Sequence, residues 1–278
     1  MTARPNILFI LTDQQRFDTL GANGNRICQT PSTDFLAREG MNFTHAFTAT
    51  SLCSPARACL LTGLYSHNHT MTNLTNTRIP GVEDLPDHLT THAMLLGDAG
   101  YRMGYAGKWH TGKTKSPLDW GFDDYRPGDG WHEWHPEGTR LENESVIRLG
   151  YDQDRPMAAR VPRPLAEYPE LGRTDAAIAM LEEYAGGDAP FCLQLNYFGP
   201  HYPHYLPEPY HSMYDPAQIP PWGNFEARPS VPHHGYRWLR ERWCAPTDQW
   251  SHYAEIMAAY YGQVTLLRSE EHTSELQS

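Results

Sequence analysis

Short apolar segments alternate with helical patterns along most of this chain, and this alternation limits the folds open to it. Asn6–Thr12 is a continuous apolar run that ends at a polar residue, as expected of a buried parallel strand. Tyr101–Ala106 and Pro190–Phe198 are predicted strands of the same kind. Strands that alternate with helices indicate an α/β fold with a mainly parallel central sheet flanked by helices.

The helices between these strands are predicted from apolar periodicity and from terminal residues. They cover Pro31–Glu39, Pro55–Thr62, Leu85–Ala99 and Asp175–Tyr184, and an apolar stripe from Tyr253 to Leu267 predicts a last one. In the second of them, Ser54 is the expected N-cap and Gly63 lies beyond the end. Met41–Phe47 alternates in the manner of a further strand.

Chemically active side chains lie where the predicted strands end. Asp13 follows the first strand, Lys108 and His110 follow the second, and His201 follows the third. In parallel sheets, ligands bind at the carboxyl ends of the strands, so we expect these side chains to meet at one edge. Taken singly, Asp13 has the ordinary interpretation of a turn cap, and Lys108 that of a solvated surface group.

Cys53 lies directly before the predicted helix that starts at Pro55. A thiol at a helix N-terminus lies in a positive field, which favours an anionic nucleophile or an anionic substrate. Arg57 follows four residues later and is expected to point back toward the same place. The pattern Cys53-x-Pro-x-Arg57 is short and in a random protein more often accidental, but its place between a strand and a capped helix favours a functional interpretation.

These segments together resemble the sulfatase family. The resemblance consists of Cys53-x-Pro-x-Arg57 and of three further segments in the expected order, Asn6–Gln14, Gly107–His110 and Phe198–His201. It covers roughly residues 5 to 267. It implies an alkaline-phosphatase-like sulfatase fold, incomplete at the C-terminus, and the activity of a sulfuric ester hydrolase.

The resemblance implies a metal site. Asp13, Gln14 and Cys53, the last after oxidation to formylglycine by a maturation enzyme, would ligate Ca²⁺ or Mg²⁺. Many relatives have a second acid where this chain has Gln14, so weaker binding or a different ion preference is expected. Ca²⁺ takes about six to eight oxygens, and relatives complete the site with a later Asp-Asn or Asp-His pair and a further Lys. No such segment occurs between His201 and Leu267.

The resemblance also implies the catalytic roles. The hydrated gem-diol of oxidised Cys53 would attack the sulfate ester, and Arg57 would hold it. Lys108 and His201 would bind the sulfate oxygens, and His110 would be the base that expels sulfate. The expected substrate is a small-molecule or carbohydrate sulfate ester.

Residues 268–278 break the apolar stripe that precedes them. This segment resembles the translation of a common short-read sequencing adapter. We therefore expect residues 1–267 to be a partial N-terminal catalytic domain and residues 268–278 to be a non-native tail; a genuine polar extension is the alternative. The chain as written is expected to be a catalytically incomplete fragment of an enzyme.

Composition limits the classes of molecule that the chain is expected to bind. The chain of 278 residues has a net charge of −11, which argues against binding to nucleic acid or to an anionic membrane surface. An anionic substrate therefore needs local positive charge. The apolar run near the N-terminus is too short for a secretory signal or a membrane span, so a cytoplasmic location is expected.

The remaining cysteines and one histidine pair have structural interpretations. The five cysteines form no dense framework, which predicts reduced thiols. Those expected to be structural are Cys28, Cys59, Cys192 and Cys244. His67 and His69 suggest zinc, but they lack further ligands nearby, so a structural or pocket-wall role is favoured.

Two alternative functions remain open. The first is a phosphonate or phosphate ester hydrolase of the same superfamily, which would use the same metal and a similar nucleophile. The pair Lys108-x-His110 favours sulfate, because relatives use these two groups for sulfate binding and release. The second is a non-catalytic binding protein that has kept the fold, in which Cys53 would remain unmodified.

Overall fold

A computed structural model of the chain describes residues 4–75, 83–127, 141–142, 145–149, 155–227, 233–236, 238 and 249–267. The chain divides into two compact units, each of which we describe by itself. Unit 1 comprises residues 1–13, 43–134 and 169–198, and unit 2 comprises residues 14–42, 135–168 and 199–278. The predicted tail and Cys244 lie outside the described residues.

Strands and helices alternate along the described residues. The strands are β1 (Ile7–Leu11), β2 (Arg102–Gly107), β3 (Asp124–Pro127), β4 (Ile147–Leu149), β5 (Arg155–Arg160), β6 (Phe191–Asn196) and β7 (His204–Leu206). The helices are α1 (Pro31–Glu39), α2 (Cys53–Thr62), α3 (Ser66–His69), α4 (His92–Asp98), α5 (Pro169–Ala185) and α6 (Trp250–Leu266).

Unit 1 contains the parallel sheet that the sequence predicts. Its strands lie in the order β1, β6, β2, β3, and all neighbours run parallel. Leu11 of β1 and Gly107 of β2 both pair with Asn196 of β6. The carboxyl ends of these three strands are therefore level, and the residues that follow them emerge at one edge. β1 is an outer strand of this sheet, and its residues Leu8–Ile10 stay partly exposed.

Helices cover both faces of this sheet. Met103 and Tyr105 of β2 are buried in one core cluster with Leu61 of α2. Gly104 faces the other way, and a Cβ added to it would lie 2.6 Å from the Tyr184 hydroxyl of α5. Because successive side chains of a strand point to opposite faces, α2 packs on one face and α5 on the other.

The predicted strand at residues 41–47 is wrong. The described chain has no strand there, and Phe43 and Phe47 are 70% and 90% exposed. An alternating pattern stabilises a strand only where one of its faces is buried against other elements. This segment of the sequence has the alternation without that burial.

Two helix starts also differ from their prediction. The helix expected from Leu85 begins at His92, because the Thr91 side chain accepts a hydrogen bond from the Met94 N–H and caps the helix there. Pro86 also disfavours a regular helix in the segment between Leu85 and His92. α2 begins at Cys53, with Leu52 at the N-cap position that was expected for Ser54.

Unit 2 has a smaller sheet and a long buried helix. β5 pairs antiparallel with β4 and parallel with β7, and α6 packs against β5 and β7. His204 of β7 is buried, and its Nδ1 lies 2.6 Å from Oε1 of Gln263 on α6. An amide oxygen only accepts, so Nδ1 carries the proton. Burial lowers the pKa of His204 to about 4.

The length of the longest described helices bears on whether any of them could cross a membrane. α5 and α6 have 17 residues each. No described helix combines the length and the hydropathy that crossing a bilayer demands. The cytoplasmic location stays a prediction.

Candidate active site

Asp13 joins most of the predicted catalytic side chains of unit 1. Its carboxylate is buried two residues beyond the end of β1. Oδ2 accepts hydrogen bonds from Nη2 of Arg57 at 2.9 Å and from Nζ of Lys108 at 2.8 Å. Oδ1 accepts from Sγ of Cys53 at 3.5 Å. Side chains that are far apart in sequence therefore meet at the edge where the strands end.

A glycine at the end of β2 brings Lys108 into this cluster. Gly107 has φ of +90°, in the left-handed region that favours glycine. A Cβ at this position would lie 2.0 Å from the main-chain oxygen of Asn196. The Lys108 N–H donates to that same oxygen at 2.9 Å. Glycine thus allows β2 to end in close contact with β6, and it directs the next residue into the site.

Side chains from two elements hold the main chain of Lys108. Its carbonyl oxygen accepts from Nη1 of Arg57 at 2.9 Å and from the Tyr105 hydroxyl at 2.7 Å. The sequence did not indicate Tyr105, which reads as an apolar core residue of β2. The only feature of the sequence that could have pointed to a role for Tyr105 is its position near the end of a strand, three residues before Lys108.

The cluster carries an excess of buried positive charge. Arg57, Lys108 and Asp13 are 5%, 6% and 7% exposed, so two cations face one carboxylate away from water. Burial lowers the pKa of Lys108, and the attraction of Asp13 offsets part of this effect. Charges interact more strongly where water is excluded. The arrangement is therefore suited to an anionic group or to negative charge that develops during a reaction.

Cys53 is the first residue of α2, but its thiol is not activated. Burial raises its pKa, Lys108 and Arg57 oppose this effect, and Asp13 adds to it. The thiol is therefore neutral at pH 7. The burial of the thiol thus outweighs the nearby positive charge, and the expectation of an anionic nucleophile or an anionic substrate at this helix terminus stays a prediction. Chemistry at this residue requires another form of its side chain.

Two site residues have an unusual backbone. His110 has φ of 52° and Gln14 has φ of 62°, both in the left-handed region that few residues other than glycine adopt. Gln14 follows Asp13 directly, and His110 follows Lys108 by two residues. Strained positions of this kind cluster at functional sites. Thr70, which ends α3, shares this conformation, so the backbone agrees with a functional site at Gln14 and His110 but does not by itself identify one.

Gln14 and His201 belong to unit 2, where we describe them. The side chain of Gln14 is exposed, and its main-chain oxygen accepts from the Tyr260 hydroxyl at 2.9 Å. The His201 ring stacks on Tyr202 with a centroid separation of 4.6 Å. Nδ1 of His201 also donates a hydrogen bond to the main-chain oxygen of Tyr202. Their roles as metal ligand and sulfate ligand stay predictions.

The donors present fit one side of a divalent cation site. The Asp13 carboxylate and an oxygen on oxidised Cys53, both in unit 1, are the hard ligands that Ca²⁺ and Mg²⁺ prefer. Oδ2 of Asp13 already accepts from two cationic groups, so Oδ1, which faces Cys53, is the oxygen suited to such an ion. About six ligands are needed, so these two residues supply only part of the set.

His67 and His69 both lie in α3, and the structural or pocket-wall role that the sequence favours over zinc stays a prediction. Among the described residues, no third His, Cys, Asp or Glu joins His67 and His69 to form a metal site. His69 is fully buried, and its Nε2 lies 3.3 Å from Sγ of Cys59.

Similar proteins point to one family. The family described as Sulfatase matches residues 5–265. The ulvan-active sulfatase of Formosa agariphila is 31% identical over 223 residues, which are 78% of this chain and 39% of that protein. The N-acetylglucosamine-6-O-sulfatase of Bacteroides thetaiotaomicron is 30% identical over 213 residues, 76% of this chain and 33% of that protein. The chain thus spans well under half the length of these curated relatives.

Solved structures share the fold. The phosphonate monoester hydrolase of Agrobacterium radiobacter gives a TM-score of 0.71 at 25% identity. The match covers 98% of this chain and 60% of that protein. A protein solved with its substrate, D-glucosamine-2-N,6-O-disulfate, gives a TM-score of 0.66 at 21% identity. That match covers 99% of this chain and 61% of the other. These likenesses confirm the alkaline-phosphatase-like fold. With the match over residues 5–265, they show that the chain belongs to the sulfatase family.

Proposed function

We propose that the enzyme to which this chain belongs hydrolyses a sulfate ester. The observation that carries this proposal is the buried cluster in which Arg57 and Lys108 face one carboxylate, Asp13. A preorganised excess of positive charge binds a sulfate group and stabilises the charge that develops as its ester bond breaks. The names of the two sulfatases of about 30% identity support this substrate class, and one of them names a sulfated sugar.

We assign the nucleophile to residue 53 after its oxidation to formylglycine. In that form the residue would supply a gem-diol oxygen to attack sulfur. The raised pKa of the Cys53 thiol supports the assignment, because a neutral thiol is a weak nucleophile. A formylglycine-generating maturation enzyme would be the required partner.

The other side chains bind and orient the substrate. Lys108 holds the anionic group next to residue 53, Arg57 holds the gem-diol of that residue, and the shared partner Asp13 fixes the positions of both cations. His201 contributes a further contact to the sulfate oxygens. His110, two residues beyond Lys108, accepts a proton as the base that completes turnover.

A divalent cation, Ca²⁺ or Mg²⁺, would be held by Asp13, Gln14 and residue 53. When bound, it would supply positive charge next to the attacking oxygen. Because these ligands are too few, we propose that further ligands come from a larger catalytic domain of which residues 1–267 are one part. The chain alone is then inactive, and the short share of its relatives that it covers supports this view.

Mass spectrometry of the Cys53 peptide tests the nucleophile. After coexpression with a maturation enzyme, we expect this peptide to be about 18 Da lighter than its thiol form. The Cys28 peptide, whose thiol is buried, is the control and should keep its thiol mass. An unmodified Cys53 would favour the non-catalytic binding protein instead.

A phosphonate ester hydrolase is the second candidate, favoured by the TM-score of 0.71 with the phosphonate monoester hydrolase. Turnover by a longer protein that contains this chain separates the two. We expect a higher kcat/KM for an aryl sulfate than for a phosphonate monoester with the same leaving group. The reverse order would establish the phosphonate activity and overturn the sulfatase assignment.

A further inference from the structure

Cys59 and His69 form a thiol–imidazole pair outside the candidate site. Cys59 lies in the last turn of α2, and His69 is the last residue of α3. Sγ of Cys59 lies 3.3 Å from Nε2 of His69 and 3.8 Å from Oγ of Ser66. Two hydrogen-bonding groups therefore converge on one sulfur, in a residue that is partly exposed.

The second nitrogen of His69 fixes the position of the ring proton. The main-chain N–H of Met71 donates to Nδ1 at 3.1 Å, so this nitrogen is an acceptor. Burial lowers the pKa of His69, which keeps the ring neutral at pH 7. A neutral imidazole with Nδ1 as acceptor carries its proton on Nε2. His69 therefore donates a hydrogen bond to the sulfur of Cys59.

Ser66 can serve both protonation states of the sulfur. A hydroxyl can accept from a thiol S–H, and it can also turn and donate to a thiolate. A thiolate would then accept two hydrogen bonds, and hydrogen bonds to an ionised group are the stronger ones. Cys28 and Cys192 are more deeply buried, and burial raises the pKa of both thiols, that of Cys28 to about 12.

We propose that Cys59 is a modification site that takes small-molecule disulfides and other soft electrophiles. The Cys59 thiolate attacks one sulfur of a disulfide, a new S–S bond forms as the old one breaks, and the leaving thiolate takes up the proton that Cys59 released. The disulfide supplies the oxidising equivalent. This role goes beyond the structural one expected from the sequence.

Modification would reach the helix that carries the candidate nucleophile. A group attached to Sγ replaces the thiol that contacts His69, and this weakens the packing of α3 against α2. α2 also carries Cys53 and Arg57. Modification of Cys59 is therefore expected to lower the unfolding midpoint of the chain.

Thiol labelling of the folded chain tests the site. The chain would carry Cys53→Ala and Cys244→Ala and react with excess 5,5′-dithiobis(2-nitrobenzoate), and peptide masses would give the rate at each remaining cysteine. We expect Cys59 to react at least about tenfold faster than Cys28 and Cys192, which lack a histidine donor and are buried. Equal rates at the three thiols would overturn the proposal. Oxidised glutathione, as a second reagent, should modify Cys59 first.

Variants of His69 separate activation from exposure. His69→Leu removes the N–H donor and should slow labelling of Cys59 by about tenfold, the effect of one hydrogen bond. His69→Gln offers an N–H near the same place and should restore most of the rate. An unchanged rate in a folded His69→Leu variant would reduce Cys59 to an exposed thiol and overturn the proposal. If the His69→Leu variant does not fold, Ser66→Ala tests the proposal instead. This change should slow the labelling of Cys59 about threefold. An unchanged labelling rate would overturn the proposal.

Discussion

Arg57 and Lys108 are joined through the main chain, because Nη1 of Arg57 donates to the carbonyl oxygen of Lys108 at 2.9 Å. The same guanidinium donates from Nη2 to Asp13. One planar group thus connects α2 to the ends of β1 and β2. The fork of donors on arginine makes this double contact possible, and a lysine ammonium has no such geometry.

The variant Arg57→Lys should therefore be less stable although it keeps the charge. We expect the free energy of unfolding to fall by about 2 kcal/mol, because the buried carbonyl oxygen of Lys108 loses the charged one of its two donors and keeps only the Tyr105 hydroxyl. Urea denaturation followed by circular dichroism measures this. Arg38→Lys is the matched control, since Arg38 is exposed and pairs with Glu39 on the surface. Its unfolding should change by less than about 0.5 kcal/mol, and an equal effect of both changes would contradict the prediction.

Asp13→Asn should be the most damaging change to the cluster. It leaves Arg57 and Lys108 buried without their carboxylate, and removing one partner from a buried ion pair costs about 3–5 kcal/mol. The same urea experiment measures the loss. Asp98→Asn, an exposed change at the end of α4, serves as the control. A loss below about 1 kcal/mol for Asp13→Asn would show that the two cations do not depend on this carboxylate.

Gly107→Ala and Gly172→Ala should have effects of opposite sign. The first places a Cβ against the Asn196 main chain at a residue with positive φ, so we expect a loss of more than about 2 kcal/mol. The second is inside α5 with no atom within 4 Å of the new Cβ, so alanine should stabilise the helix by up to about 1 kcal/mol. Thermal unfolding of both variants measures the difference. A well-folded Gly107→Ala variant of unchanged stability would contradict the role assigned to this turn.

His204 should make the chain less stable in mild acid. Its pKa is about 4 in the folded state and 6.5 ordinarily, so the unfolded state binds more protons between these values. The stability that is present above pH 6.5 should fall as pH decreases, by about 2 kcal/mol at pH 5. Urea midpoints at pH 7.5 and 5 measure the loss, which His204→Gln should remove. His45→Gln, at an exposed position, is the control and should keep the wild-type loss.

The sequence predicted three of the four strands in the sheet of unit 1, β1, β2 and β6, but it did not predict β3. β1 and β2 lie within one residue of their predicted bounds, because a continuous apolar run followed by a polar residue indicates a buried strand and its end. The contact between Asp13 and Lys108 also follows from that pattern, given level strand ends. The pairing register that makes them level is a tertiary property, and no local pattern reports it.

Other features required the packed structure. Tyr105 has the sequence character of a core residue, and only its position beside the Lys108 carbonyl gives its hydroxyl a role. The neutral thiol of Cys53 depends on burial, which opposes the helix field that local reasoning considered. The start of α4 was decided by one hydroxyl, that of Thr91, among two adjacent threonines. Each of these outcomes depends on which neighbours exclude water from a group.

The outer position of β1 has a practical consequence for handling this polypeptide. Leu8, Phe9 and Ile10 are 49%, 37% and 42% exposed, and the described strands leave the free edge of β1 without a partner. A flat apolar edge is a template for strands of other molecules. Copies of the chain are therefore expected to aggregate through this strand as concentration rises. A single lysine in place of Ile10 is the change best suited to improve recovery from expression.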